Sequence, residues 1–243
     1  MPFYNAERYL TACLKSIMRQ THEALQVILI DDGSTDGSTA IACAFVQADR
    51  RFELLRQTNQ GQGAARNLGL SQATGEYVLF VDADDYIDRH CVEHLIASIG
   101  SDDVIQFGYR RIHRDGTRGY DHIPPHLYCY TAPWTRLYRR DFLERRRLRF
   151  PVGMIYEDVV FSAALWLRKP KQHIVPYVGY YYCEHEASTT YRRHREAEQR
   201  LYRELNFYRS GIRMRCLIAY TKLRLRLHFW IISATQDPNI HNI

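Results

Sequence analysis

Two acidic clusters, Asp31-Asp32-Gly33-Ser34 and Asp82-Ala83-Asp84-Asp85, follow two short apolar runs, Val27-Ile28-Leu29-Ile30 and Tyr77-Val78-Leu79-Phe80-Val81. Carboxylates this crowded repel one another unless a cation or a ring of hydroxyls lies between them. Hard oxygen donors suit Mg2+ or Mn2+ together with phosphate oxygens and sugar or ribose hydroxyls. The chemistry these groups could perform is transfer from a nucleotide-activated donor.

Short β-branched and aromatic runs read as strands buried on both faces. In an open parallel sheet, ligands bind outside the carboxyl ends of such strands, so both clusters are expected to open onto one crevice. The rest of the pattern alternates. Helices are expected over 6–20, with Asn5 as N-cap, and over 38–48, 63–73 and 88–99; strands over 27–30, 52–57, 77–81 and 104–112. This βαβα order folds into a parallel sheet through right-handed crossovers. An Asp115-Gly116 turn and a Pro124-Pro125 loop follow, then a helix-rich basic stretch over 134–147, a helix over 157–166 and an aromatic strand over 177–182.

Five segments occur in one order: Pro2-Phe3-Tyr4-Asn5-Ala6-Glu7, Asp31-Asp32-Gly33-Ser34-Thr35-Asp36, Asn59-Gln60-Gly61-Gln62-Gly63-Ala64-Ala65-Arg66-Asn67, Asp82-Ala83-Asp84-Asp85 and Tyr156-Glu157-Asp158. Over residues 2 to 190 the chain closely resembles the inverting, metal-dependent bacterial glycosyltransferases of family 2, which have the GT-A fold. Any one of these motifs is weak evidence; their order is specific. The resemblance implies an α/β GT-A domain over 1–190, with a mostly parallel, Rossmann-like sheet flanked by helices. Its nucleotide-binding half would cover 1–100 and its acceptor half 101–190, with a basic helical extension over 191–243.

The resemblance also assigns roles. Tyr4, Glu7, Asp32, Arg66, Asp82 and Asp84 would bind the nucleotide-diphosphate sugar, expected to be a UDP-sugar. Asp32 is preferred over Asp31 for the base or ribose, and Ser34 and Asp36 shape the loop. Asp84 would ligate Mn2+ or Mg2+ at the diphosphate, with His185 as a further candidate ligand. Asp158 would take the proton from the acceptor hydroxyl, and Trp134, Glu157 and Ser188 would lie at the acceptor or its loops. Trp134-Thr135-Arg136-Leu137-Tyr138 departs from the family's more usual Trp-Asn-Lys-Leu-Tyr. Simpler readings compete: Asp and Gly favour turns locally, acids suit helix N-termini, and a lone histidine is more often structural.

At 243 residues and 46% hydrophobic, the chain can bury a sizeable core. Lys and Arg number 33 against 27 Asp and Glu, a formal charge of +6, which leaves phosphorylated substrates and anionic lipid open as partners. Six scattered cysteines without a Cys-x-x-Cys pair point to reduced thiols in the cytoplasm. Arginines recur from Arg192 to Arg215 among apolar residues, which fits a peripheral face on an anionic membrane and a lipid-linked or cell-surface glycan acceptor. Two rivals stand beside the transferase: a nucleotide-sugar binder without turnover and a basic nucleic-acid-binding protein. The second explains none of the strand-end acids, so no nucleic acid is expected.

In family relatives an apolar strand precedes the Pro-x-Tyr-Asn segment, whereas only Met1 precedes Pro2 here. The first central strand is therefore expected to be missing, exposing its neighbours' backbone groups.

Overall fold

The computed structural model describes residues 1–127 and 130–185, together with Gln199, Leu201 and Arg203. The chain divides into one unit over Met1–Glu184 and a second over His185–Ile243. Ser188 and the arginine-rich stretch from Arg192 lie outside the described residues, apart from Gln199, Leu201 and Arg203.

The first unit opens with β1 (Pro2–Phe3), α1 (Glu7–Met18), β2 (Val27–Asp31), α2 (Ser38–Ala48), β3 (Phe52–Arg56) and α3 (Gln62–Gln72). Helix α1 buries Leu10, Cys13, Leu14 and Ile17, the stripe set by three-and-four spacing. Each fully buried leucine contributes roughly 2 kcal/mol. Strands β1, β2 and β3 pair in parallel in that order, with Pro2 opposite Ile30 and Val27 opposite Phe52. Strand β1 thus spans two residues of the five in β2.

β4 (Tyr77–Leu79), β5 (Tyr86–Ile87), α4 (Cys91–Ile99), β6 (Val104–Ile112) and β7 (Arg118–His122) follow. After a 3-10 turn at Pro133–Thr135 come β8 (Arg136–Arg139), α5 (Arg140–Arg145), α6 (Glu157–Leu167) and β9 (Gln172–Cys183). The second sheet has the order β4-β8-β6-β9-β5, with β7 on β6. It is mixed: β6 and β9 run parallel, while β8 runs antiparallel to both β4 and β6. An all-parallel sheet is therefore formed by the first three strands, and the only other parallel pairing among the described strands is β6 with β9.

Several local expectations need correction. Asn5 does not cap α1; its φ is 48°, and its Oδ1 accepts from the Thr35 N–H at 2.8 Å. The fourth helix starts at Cys91 because Asp88 folds back to accept from the His90 N–H at 2.9 Å. The basic stretch from Trp134 is interrupted by β8, whose residues complete ladders on both sides of the strand. Strand β4 ends at Leu79, so Asp82 and Asp84 do not lie on a continuing strand. A tight turn replaces it, closed by the Asp85 N–H donating to the Asp82 carbonyl at 3.2 Å.

Candidate active site

The site is built around Arg66, in the second turn of α3. Its guanidinium donates through Nη1 to Glu157 Oε1 at 2.6 Å and through Nη2 to Asp82 Oδ1 and Gln62 Oε1, each at 2.9 Å. Only 2% of the Arg66 side chain is exposed, and it lies over the Phe150 ring with 5.4 Å to the centroid. Burial works against this cation, but Asp82 and Glu157 hold its pKa above the ordinary value. Arg66, expected to face the nucleotide, ties two acids together. A buried guanidinium favours this role because its planar fork can satisfy several carboxylates at once.

Burial raises Asp82 above the usual carboxylate range despite Arg66, and the charges of Asp84 and Asp158 push it further. Glu157 is raised for the same reason, with Arg66 opposing and Asp158 adding. Asp82, Asp84, Glu157 and Asp158 therefore share one electrostatic neighbourhood. Asp158 accepts from Thr131 Oγ1 at 3.2 Å. It and Glu157 begin α6 directly after Tyr156, which takes a left-handed conformation at φ 70°.

The third acid of the turn, Asp85, had no role assigned from sequence. It is buried, accepting from Tyr180 Oη and from the Cys183 N–H, both at 2.7 Å. The Tyr180 oxygen also accepts from the Asp82 N–H at 3.1 Å. Asp85 and Tyr180 thereby anchor the whole acidic turn to β9. The Tyr180-Tyr181-Tyr182 run was the available signal, since alternation places Tyr180 and Tyr182 on one face.

The first cluster is tied into the loops around it. Asp32 accepts from Gln57 Nε2 at 2.7 Å and from the Gln60 and Gly61 N–H groups at 2.8 Å, so its carboxylate holds the loop into α3. Asp31 accepts from Ser34 N–H and Thr39 Oγ1, both at 2.7 Å, and from Arg56 Nε at 3.0 Å. Burial alone would raise Asp31, yet these donors lower it. Glu7 accepts from the Gly37 N–H at 2.9 Å at the start of α2, where a carboxylate complements the helix dipole. Asp36 accepts from the Glu7 and Ser38 N–H groups, and Ser34 Oγ from the Asn5 N–H. Tyr4 is half exposed. The two clusters do communicate: Asp32 fixes Gly61 at the start of α3, and Arg66 on the same helix reaches Asp82.

Trp134, expected to underlie the acceptor, stacks on Tyr180 at 4.3 Å and Tyr182 at 5.8 Å, with Tyr109 edge-on at 5.0 Å. It is 7% exposed and belongs to the core. His185 opens the second unit. Among the described residues, no three His, Cys, Asp or Glu side chains form a metal cage. The carboxylates of Asp82 and Asp84 suit a hard divalent ion that takes most of its ligands from phosphate oxygens and water. No described helix is long and apolar enough to cross a membrane.

Residues 1–161 match the family model described as Glycosyl transferase family 2. The uncharacterized glycosyltransferase YibD of Escherichia coli is 30% identical over 240 residues, covering 90% of this chain and 68% of YibD. EpsH of Bacillus subtilis, named as a glycosyltransferase, is 33% identical over 173 residues, covering 64% of this chain. The matched region is 50% of EpsH, so the chain spans about half the length of that relative. Among solved structures, residues 1–349 of Staphylococcus aureus TarS in complex with UDP-GlcNAc superpose with a TM-score of 0.72 at 26% identity, covering 84% of this chain and 64% of that TarS fragment. A Pyrobaculum calidifontis mannosyltransferase, solved with GDP-Man and Mn2+, gives 0.69 at 19% identity, covering 96% and 71%, and shares the fold.

Proposed function

Since the chain belongs to glycosyl transferase family 2, we propose that it moves a sugar from a nucleotide-diphosphate donor to a hydroxyl of a glycan or lipid-linked acceptor with inversion. The observation that carries this reading is the shared guanidinium of Arg66, which sets the Asp82–Asp85 turn and the start of α6 in one frame. A donor-holding turn and a base must keep a fixed separation for a single displacement, because misplacement by an ångström costs orders of magnitude in rate.

In this mechanism Asp158 accepts the acceptor's hydroxyl proton as the oxygen bonds to the anomeric carbon. The bond from that carbon to the diphosphate oxygen breaks on the opposite face, and its electron pair leaves with the nucleoside diphosphate. A carboxylate of modest basicity suffices, since the proton becomes acidic late in the displacement. Asp84, with Asp82 beside it, would hold Mn2+ or Mg2+, which when bound neutralises the departing diphosphate. A UDP-sugar is the preferred donor, supported by the likeness to TarS with UDP-GlcNAc. A cytoplasmic enzyme resting on an anionic membrane face fits the arginines between Arg192 and Arg215.

A thermal-shift series with UDP-GlcNAc, UDP-glucose and GDP-mannose, each with and without Mn2+, tests the donor assignment. A ligand at 100 times its Kd stabilises by about 2.7 kcal/mol. Stabilisation by none of them would sink the donor site. Binding without nucleotide release, with water or any supplied glycan as acceptor, would leave a sugar-nucleotide binder rather than a transferase.

A further inference from the structure

Arg136 is fully buried, and among the described residues no carboxylate pairs with it. Its guanidinium lies 5.8 Å from the centre of the Trp166 ring. A cation buried without a counter-charge is costly. Its two terminal nitrogens donate to the backbone of the segment before it and to Ser162, while Nε has no hydrogen-bond partner among the described residues. Nη2 donates to the Tyr130 carbonyl, and Nη1 to the Ala132 carbonyl at 3.3 Å and Ser162 Oγ at 3.4 Å.

Three other fully buried side chains complete the pattern. Ser162 Oγ donates to the Thr131 carbonyl at 2.7 Å, Thr135 Oγ1 to the Ala132 carbonyl at 2.7 Å, and Tyr138 Oη to the Pro133 carbonyl at 3.2 Å. Four consecutive carbonyls, 130 to 133, are each fixed by a buried donor. The side chain presented by this pinned segment is Thr131, whose hydroxyl donates to Asp158 Oδ2. Ser162 stands four residues after Asp158 on α6, one turn along the same face, so the helix that carries Asp158 also clamps the segment.

We propose that Arg136, with Ser162, is a positioning residue that holds the Thr131 hydroxyl on Asp158 Oδ2 and so presents Oδ1 to the acceptor's hydroxyl. This rests on the reading of Asp158 as the base. A carboxylate rotating freely about its last bond would spend time with neither oxygen aimed at the substrate; a single fixed donor removes that freedom. The cost of burying Arg136 is thereby tied to order at the site rather than to stability.

The test measures kcat and donor KM for nucleoside diphosphate release, using whichever of UDP-GlcNAc, UDP-glucose and GDP-mannose stabilises the wild type most. Thr131→Val, which keeps the shape and loses the donor, should lower kcat about tenfold, the worth of one hydrogen bond to a charged group, with donor KM unchanged. Thr131→Ser should restore kcat. Arg136→Met and Ser162→Ala should each lower kcat, and each combined with Thr131→Val should give no further loss, because they act through that hydroxyl. Should Arg136→Met fail to fold, Ser162→Ala carries the same comparison. Wild-type kcat in Thr131→Val, or losses that multiply in the double variants, would overturn the inference while leaving the transferase intact. A wild type that releases nothing from any donor would overturn the transferase reading and this inference together.

Discussion

Arg66 and Glu157 stand 91 positions apart in the chain and 2.6 Å apart in space. The contact joins α3 to α6 and neutralises one of the two acids that open α6, next to Asp158. Replacing Arg66 with methionine would keep much of the volume and leave the buried Glu157 and the partly buried Asp82 without a counter-ion. Losing one partner of a buried ion pair costs about 3–5 kcal/mol. Melting temperature should fall by roughly 10 °C, and the double variant Arg66→Met with Glu157→Met should recover part of the loss. Scanning calorimetry of the three proteins checks this; an unchanged single variant would mean that the bridge contributes nothing.

Gly63 serves the same junction. A Cβ there would lie 2.3 Å from the Pro151 carbonyl oxygen and 3.5 Å from the Glu157 Cβ. The oxygen belongs to backbone, so the start of α3 must move away and draw Arg66 off Glu157. Gly63→Ala should therefore destabilise by about 1–3 kcal/mol, the usual cost of overpacking. Alanine at a helix position normally stabilises relative to glycine, so a denaturant titration showing a gain would refute the close contact.

Much of this architecture was legible because it is local. The ranges of α2 and β6 follow directly from apolar periodicity and from the turns that bound them. Strand β8 was not legible: its Arg-Leu-Tyr-Arg sequence sits in a basic run, and its strand character comes only from pairing with β4 and β6. In the site, Asp82, Asp84, Glu157 and Asp158 could be picked out since each lies at the edge of an apolar element. Partners could not, because Arg66 meets Asp82 across 16 residues and Asp85 meets Tyr180 across 95. Thr131 had no signal at all, lying in a segment without periodicity whose shape is set by donors elsewhere in the chain. Asp32 and Glu7 carry a second duty that the sequence did not announce: Asp32 accepts from the Gln60 and Gly61 N–H groups and Glu7 from the Gly37 N–H, so both also organise the loops they stand in.

Asp85 should make stability fall as pH rises. Burial lifts its pKa well above the ordinary carboxylate value, and the charges of Asp84 and Asp82 add to the shift. The folded state then keeps a proton that the unfolded chain loses near about 3.9. Its contribution is fully present below that value and is lost as pH rises through the folded-state pKa. Asp85→Asn keeps an acceptor for the Cys183 N–H and cannot ionise. Between about pH 4 and 8 the variant's denaturant midpoint should decline less steeply than the wild type's; parallel curves would show that Asp85 is ionised in the folded protein throughout.

Asp84 and Asp158 should separate binding from turnover. Asp84 sits in the turn that Asp85 and Tyr180 lock to β9, so Asp84→Ala removes a carboxylate while the turn keeps its anchors. That variant should keep its melting temperature without ligand and lose the extra stabilisation that Mn2+ gives with a sugar nucleotide. Asp158→Asn leaves the acidic turn untouched and still offers an acceptor to Thr131. It should bind the donor as tightly as wild type, yet release nucleoside diphosphate about 10²–10⁴ times more slowly, as expected when a general base is lost and ground-state binding is not. Titration calorimetry and single-turnover release on both variants distinguish the roles. If Asp158→Asn turns over normally, the base is another residue; if Asp84→Ala keeps its Mn2+ response, the ion is held elsewhere.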